Sequence, residues 1–164
     1  MQKGMKASQD LMKTKQVGTE YPVSIICSFV WIGFVCAISF MEAWLKFEAP
    51  GITIPLGLGI GRLVFGLLNY IEWILALVIL AEHLFLKRYT FKRNQWLYIL
   101  PLLILLIQSL YLLPKLDVRA QLIIDGLNES PSNLHFVYIA LEFIKVSCLT
   151  LFGISLFKKS IHDR

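Results

Sequence analysis

Four apolar blocks, at about 22–47, 56–86, 96–113 and 131–157, dominate this chain. Each is close to or above the roughly 20 residues that a helix needs to cross a hydrocarbon core about 30 Å thick. A helix satisfies its own backbone groups in lipid, where an open strand edge cannot. The blocks therefore predict an all-α fold, an integral membrane four-helix bundle. Of the 164 residues, 57% are hydrophobic, and the four crossings leave no room for a second globular domain. Residues 1–20 read as a cytoplasmic tail, 21–158 as the transmembrane domain, and 159–164 as a second cytoplasmic tail.

The net charge of +5 could point to nucleic acid. Its placement points elsewhere. Lys3, Lys6, Lys13 and Lys15 precede the first block, Lys87, Arg88, Lys92 and Arg93 lie between the second and third, and Lys158, Lys159 and Arg164 follow the fourth. Basic residues in alternate loops are the mark of cytoplasmic segments. Both termini are therefore expected in the cytoplasm, in a multi-pass protein of a bacterial cytoplasmic (inner) membrane. Its expected partners are membrane lipids, with a second copy of the chain or a larger membrane complex, and no nucleic acid. The block from Pro22 to Phe40 is too long for the core of a signal peptide and shows no small-residue cleavage site, so it reads as an uncleaved first helix.

Local punctuation sets the helix ends. Pro50, Gly51 and Pro55 separate the first two helices. Gly57 and Gly61 form one Gly-x-x-x-Gly, a spacing that favours close approach in lipid. Pro114 is expected to end the third helix. Leu116, Ala120, Ile123, Ile124 and Leu127 then predict a short amphipathic helix on the outer membrane interface, with Gly126 as its C-cap. Ser130 and Pro131 read as the N-cap and first residue of the fourth helix.

Ionisable residues inside the blocks are the strongest functional signal, because charges in the bilayer are costly. His135, Tyr138, Glu142 and Lys145 follow a 3-4-3 spacing and share one helical stripe. Arg62, Phe65, Asn69 and Glu72 repeat it on the second helix. The first helix contributes Ser39, Glu42 and Lys46, and the third Gln108 and Tyr111. At 1.5 Å per residue, Glu72 and Glu142 come out roughly 8–9 Å below the outer surface, and Gln108 and Lys145 near 12 Å. The four stripes thus converge on one layer. The expected pairs are Lys145 with Glu72 or Glu142, and Arg62 with Glu42.

Such a layer has two readings. It fixes helix register, as polar groups do in small bundles, or it lines a pocket. The pocket reading assigns ligand binding to Glu42, Arg62, Asn69, Glu72, Gln108, His135, Tyr138, Glu142 and Lys145. The set mixes acids, bases and a histidine that titrates near neutrality, which suits proton-linked binding. The leading function is binding or passage of a small polar or ionic ligand from the outer side, which includes transport. The alternatives are an intramembrane enzyme that uses Glu and His as acid and base on a lipid-like substrate, and an accessory or assembly subunit whose charge pairs are structural.

Glu42, Glu72, Glu142 and His135 are hard metal ligands, yet the paired Glu-x-x-His pattern of di-iron proteins is missing and Lys145 repels a cation. No metal is assigned, and no cofactor is specified. His83 and His135 fall at opposite membrane faces and cannot share a haem iron. Cys27, Cys36 and Cys148 lie within the spans and have no metal-ligand spacing. Nucleophile elbow, phosphate loop and dinucleotide fingerprint are absent from the sequence.

Arg62-x-x-Phe65-Gly66 and Ser132-x-x-His135, on the second and fourth helices, carry a resemblance. The chain resembles small bacterial four-helix membrane proteins of unknown function. Those are distantly similar to a eukaryotic four-helix family with an Arg-x-x-Phe-Gly element and to the copper-resistance D membrane domain. The resemblance implies a four-helix bundle and leaves function open. Paired intramembrane histidines and methionine clusters do not occur in this sequence.

Overall fold

A computed structural model describes residues 21–85, 96–127 and 132–162. The two tails at 1–20 and 163–164, the basic loop 87–95 and the Ser130–Pro131 cap lie outside the described residues. Among the described residues there are four long helices: α1 (Pro22–Glu48), α2 (Ile54–Phe85), α3 (Trp96–Ile124) and α4 (Leu134–His162). All four are long and apolar enough to cross a membrane, and the chain is a multi-pass membrane protein. Large apolar side chains face outward, among them Leu63, Leu67, Ile74, Leu110, Phe136, Phe143 and Leu151.

α1 opens with Pro22 in its first turn, where a missing N–H costs little. Tyr21 gives it no side-chain cap. The orphan donors of that turn are met from α2: the Glu82 carboxylate accepts from Val23 N at 3.1 Å and from Ser24 N at 2.6 Å. His83 stacks on Tyr21 with ring centroids 4.9 Å apart and lies close to Tyr98 and Phe152. This end of the bundle is therefore tied by one acid and an aromatic stack.

At the opposite end α1 closes in a 3-10 turn at Lys46–Glu48, and Ala49 is extended ahead of Pro50. Gly51 takes φ +83°, a left-handed conformation that favours glycine. α2 starts at Ile54, two residues earlier than the sequence predicts, because Pro55 is tolerated in a first turn. Its 32 residues span about 48 Å, longer than the apolar core. Gly57 and Gly61 do admit close approach, and the visitors are side chains of α1. The Phe47 ring lies where a Cβ on Gly57 would stand, and Lys46 Nζ would be 2.9 Å from one on Gly61.

The third helix departs from expectation. Pro114 does not end it: the segment expected as a short helix is helical at Leu113–Ile124 and continues the third helix without a break. A π-helical stretch at Gln108–Leu112 runs directly into Leu113–Ile124, and the Leu113 N–H donates to Gln108 O, five residues back. That wider turn meets Pro114, which has no N–H to place in the ordinary four-residue pattern. The extended end of α3 packs against α2. Gly126, at φ +80°, is the expected C-cap: Leu127 N donates to Leu122 O at 3.0 Å and Gly126 N to Ile123 O at 3.1 Å, a Schellman closure.

α4 begins at Leu134, whose N–H donates to Ser132 Oγ at 3.2 Å, so the described cap is Ser132. α1 packs on both α2 and α4, and α3 packs on α4. The Phe29 ring of α1 lies 3.1 Å from the place a Cβ on Gly153 would take, which keeps α1 and α4 close. Trp31, Val35, Ala76, Ile79, Leu105, Leu149 and Phe152 form the core.

Candidate functional site

The polar residues form two tiers. The deeper one lies among fully buried side chains and draws on all four helices. Lys145 Nζ is 2.5 Å from Glu72 Oε1 and 3.1 Å from Glu142 Oε1. Trp31 Nε1 donates to Glu72 Oε1 at 2.7 Å, and Gln108 Nε2 donates to Glu142 Oε1 at 3.0 Å. Trp31, Glu72, Gln108, Glu142 and Lys145 are all buried to 0% exposure. Lys145 thus takes both of its expected partners. The two carboxylates are used alike, each with one oxygen receiving two donors. The other oxygens, Glu72 Oε2 and Glu142 Oε2, close no hydrogen bond, nor do Gln108 Oε1, Ser39 Oγ and Tyr138 Oη, the last of which faces Glu142.

The second tier is a cavity of about 290 Å³ at the end where α1 gives way to α2 and α3 stops. Leu58, Phe65, Leu113, Leu116 and Ile123 supply apolar walls. Lys46, Arg62, Asp117, Arg119, His135 and Tyr138 supply the polar groups. Arg62 spans the gap between α2 and α3. Its Nε lies 2.5 Å from Asp117 Oδ1, its Nη2 lies 2.9 Å from Asp117 Oδ2, and Nη1 donates to Gln121 Oε1. This two-pronged contact is the geometry a guanidinium forms best with a carboxylate. The expected Arg62–Glu42 pair is not made. Glu42 instead accepts from Lys46, one turn along α1, at 3.3 Å, and its Oε1 has no partner. Asp117 wins because α3 continues through Pro114 and carries its acid to α2.

Lys46 Nζ sits 5.4 Å from the Phe47 ring centroid and 5.6 Å from that of Phe65, over two aromatic faces that favour a cation. Phe65 in turn meets Tyr138 edge to face at 5.5 Å. Tyr138 is the link between tiers. It lines the cavity, and Glu142 follows it by one helical turn on the same stripe.

Comparison with family models, curated proteins and solved structures gave no match.

Of the nine residues proposed from sequence, Glu72, Gln108, Glu142 and Lys145 meet in the deep tier, with Tyr138 one turn above. Arg62 and His135 line the cavity beside Lys46, and Glu42 pairs with that lysine. Asn69 belongs to neither tier. Its Nδ2 donates to Ser109 Oγ at 2.7 Å, which also accepts from Trp73 Nε1 at 2.9 Å. Tyr111, on the predicted α3 stripe, is exposed and takes a hydrogen bond from Lys115 at 2.7 Å. Trp31, Asp117, Arg119 and Gln121 escaped the sequence reading. Ser24, Ser28 and Trp31 share one face of α1 at 4-3 spacing, a signal that could have placed Trp31. Asp117 and Gln121 are one turn apart, but only on a helix that survives Pro114. Among the described residues, no three His, Cys, Asp or Glu side chains are grouped to hold a metal ion.

Proposed function

We propose that this chain is a small cytoplasmic-membrane protein, both termini cytoplasmic, whose pocket opens to the outer side and binds or passes a small polar or ionic ligand. One observation carries this reading: the cavity of about 290 Å³ has mostly apolar walls and a convergent polar set from four helices. Concave, largely apolar sites with a few placed polar groups are the usual form of a small-molecule site. Lys46, Arg62, Asp117 and His135 cluster within that apolar lining, which favours a ligand with a polar end and an apolar body.

The sealed deep tier supports the accessory-subunit reading as well, since a network joining four helices fixes their register. That role accounts for Glu72, Glu142 and Lys145 and gives no use to the cavity. The enzyme reading needs carboxylates at the substrate, and neither Glu72 nor Glu142 is in the cavity lining.

Native mass spectrometry of protein extracted from its membrane in mild detergent tests the proposal. The wild type should carry a small-molecule adduct. Ala120→Trp, which fills the cavity, should lose it while retaining the helical content and melting point of the wild type. A wild-type protein observed intact without adduct would leave the accessory-subunit reading in its place.

A further inference from the structure

We infer that the deep tier holds one exchangeable proton, shared by the Glu72 and Glu142 carboxyl groups and reached from the cavity past Tyr138. Two carboxylates and one ammonium sum to −1, and all three are buried to 0% exposure. Among the described residues, the side chains that reach the two acids from the other helices carry no charge: Trp31 of α1 bonds Glu72, and Gln108 of α3 bonds Glu142. Lys145 pairs with both acids, and Tyr138 is the further titratable side chain facing Glu142 among the described residues. An isolated charge in hydrocarbon is costly enough that a buried acid takes up a proton instead. One proton brings the tier to neutrality.

Hydrogen bonding gives the proton a place. Lys145, Trp31 and Gln108 occupy Oε1 of each carboxylate and leave both Oε2 atoms without a donor. An acid proton on either Oε2 would convert an unmet acceptor into a donor. Gln108 Oε1 and Tyr138 Oη, both buried and closing no hydrogen bond, are acceptors of the kind that donor requires. The near-identical use of the two acids means that the proton can reside on either.

Tyr138 supplies the route. It is 1% exposed, lines the cavity, and turns its hydroxyl toward the Glu142 carboxyl one helical turn on. A phenol both donates and accepts, so it can pass a proton between the cavity and the acid. This stands apart from the binding proposal, because the proton count is read on protein without ligand.

Infrared spectroscopy of the protein in lipid discs tests the count, since a protonated carboxyl has a carbonyl band separate from carboxylate. The wild type should show one such carboxyl near neutral pH, with a deuterium shift. Glu142→Gln and Glu72→Gln should each abolish the band, because one acid then balances Lys145. Lys145→Met should double its area. Tyr138→Phe should keep the area and slow deuterium exchange. A wild type without the band, or a band that neither glutamine variant removes, overturns the inference. So does a band that disappears in sodium chloride and returns in choline chloride, which would mark a sodium site. Unchanged exchange in Tyr138→Phe overturns the route.

Discussion

Lys145 on α4 and Glu72 on α2 are 73 residues apart in sequence, and their charged atoms are 2.5 Å apart in the bundle interior. Lys145 also holds Glu142, so one ammonium serves two acids. Its loss leaves both carboxyls without a counter-charge. Lys145→Leu should therefore destabilise the protein by about 3–5 kcal/mol, the range for breaking a buried pair. Glu142→Leu should cost less, because the Glu72–Lys145 pair survives it. The double change should cost less than the sum of its parts, since the residues share one network. Unfolding of the four proteins in one detergent measures this, and additive losses would refute the shared network.

Glu82 caps a helix to which it does not belong. Glu82→Ala should cost about 1 kcal/mol, the usual cost of losing a cap. Glu82→Gln should retain part of that, because its amide oxygen still accepts one N–H. Hydrogen exchange at Val23 and Ser24 should rise in both variants, and more in the alanine one. Equal protection at these amides in wild type and Glu82→Ala would count against the cap.

Arg62→Asp should loosen the contact between α2 and the end of α3, by placing two acids together. Adding Asp117→Arg should restore it. Exchange of the 113–124 amides follows the contact directly. The pair is partly exposed, so its effect should shrink as salt rises. Salt-independent loosening would point to lost packing of the long arginine stem instead.

Gly57→Ala should displace the Phe47 ring, because the new methyl group needs the space the ring occupies. Overpacking of this kind costs roughly 1–3 kcal/mol where neighbours cannot move. Phe47→Ala in the same chain should relieve it. A Gly57→Ala variant as stable as wild type would show that the ring swings clear at no cost.

Eleven of the sixteen lysines and arginines lie before α1, between α2 and α3, or at and beyond the end of α4. A reporter fused after residue 164 should therefore be active on the cytoplasmic side, and one inserted after residue 126 on the outside. The reverse pattern would invert the bundle and open the cavity to the cytoplasm.

The spans were legible because lipid leaves a chain few options, and length alone identifies each crossing. The convergence of Glu72, Gln108, Glu142 and Lys145 was legible because charges in lipid must meet. What escaped was phase. A π-helical stretch inserts a residue and turns everything beyond it by about 100° relative to a regular helix. Cys36–Glu42 and Gln108–Leu112 do this on α1 and α3. Regular spacing therefore placed Glu42 and Tyr111 on faces they do not share with the deep tier. Trp31 escaped for a different reason: its indole reads as lipid-facing bulk until its N–H is seen on Glu72. Proline was the second trap, since Pro114 reads as a stop wherever the preceding turn is assumed to be ordinary.

The carboxylate that satisfies the start of α1 is made late. Val23 and Ser24 leave the ribosome 59 and 58 residues before Glu82, so α1 enters the bilayer with those amides served only by water. They find their protein partner when α2 has crossed in the other direction. The α1–α2 hairpin is then the smallest piece in which the first turn is complete, and the natural first unit of assembly. Lys145 arrives last of the deep tier, and Glu72 waits for it beside Trp31. Assembly of the deep tier thus ends on the one cation that its two acids share.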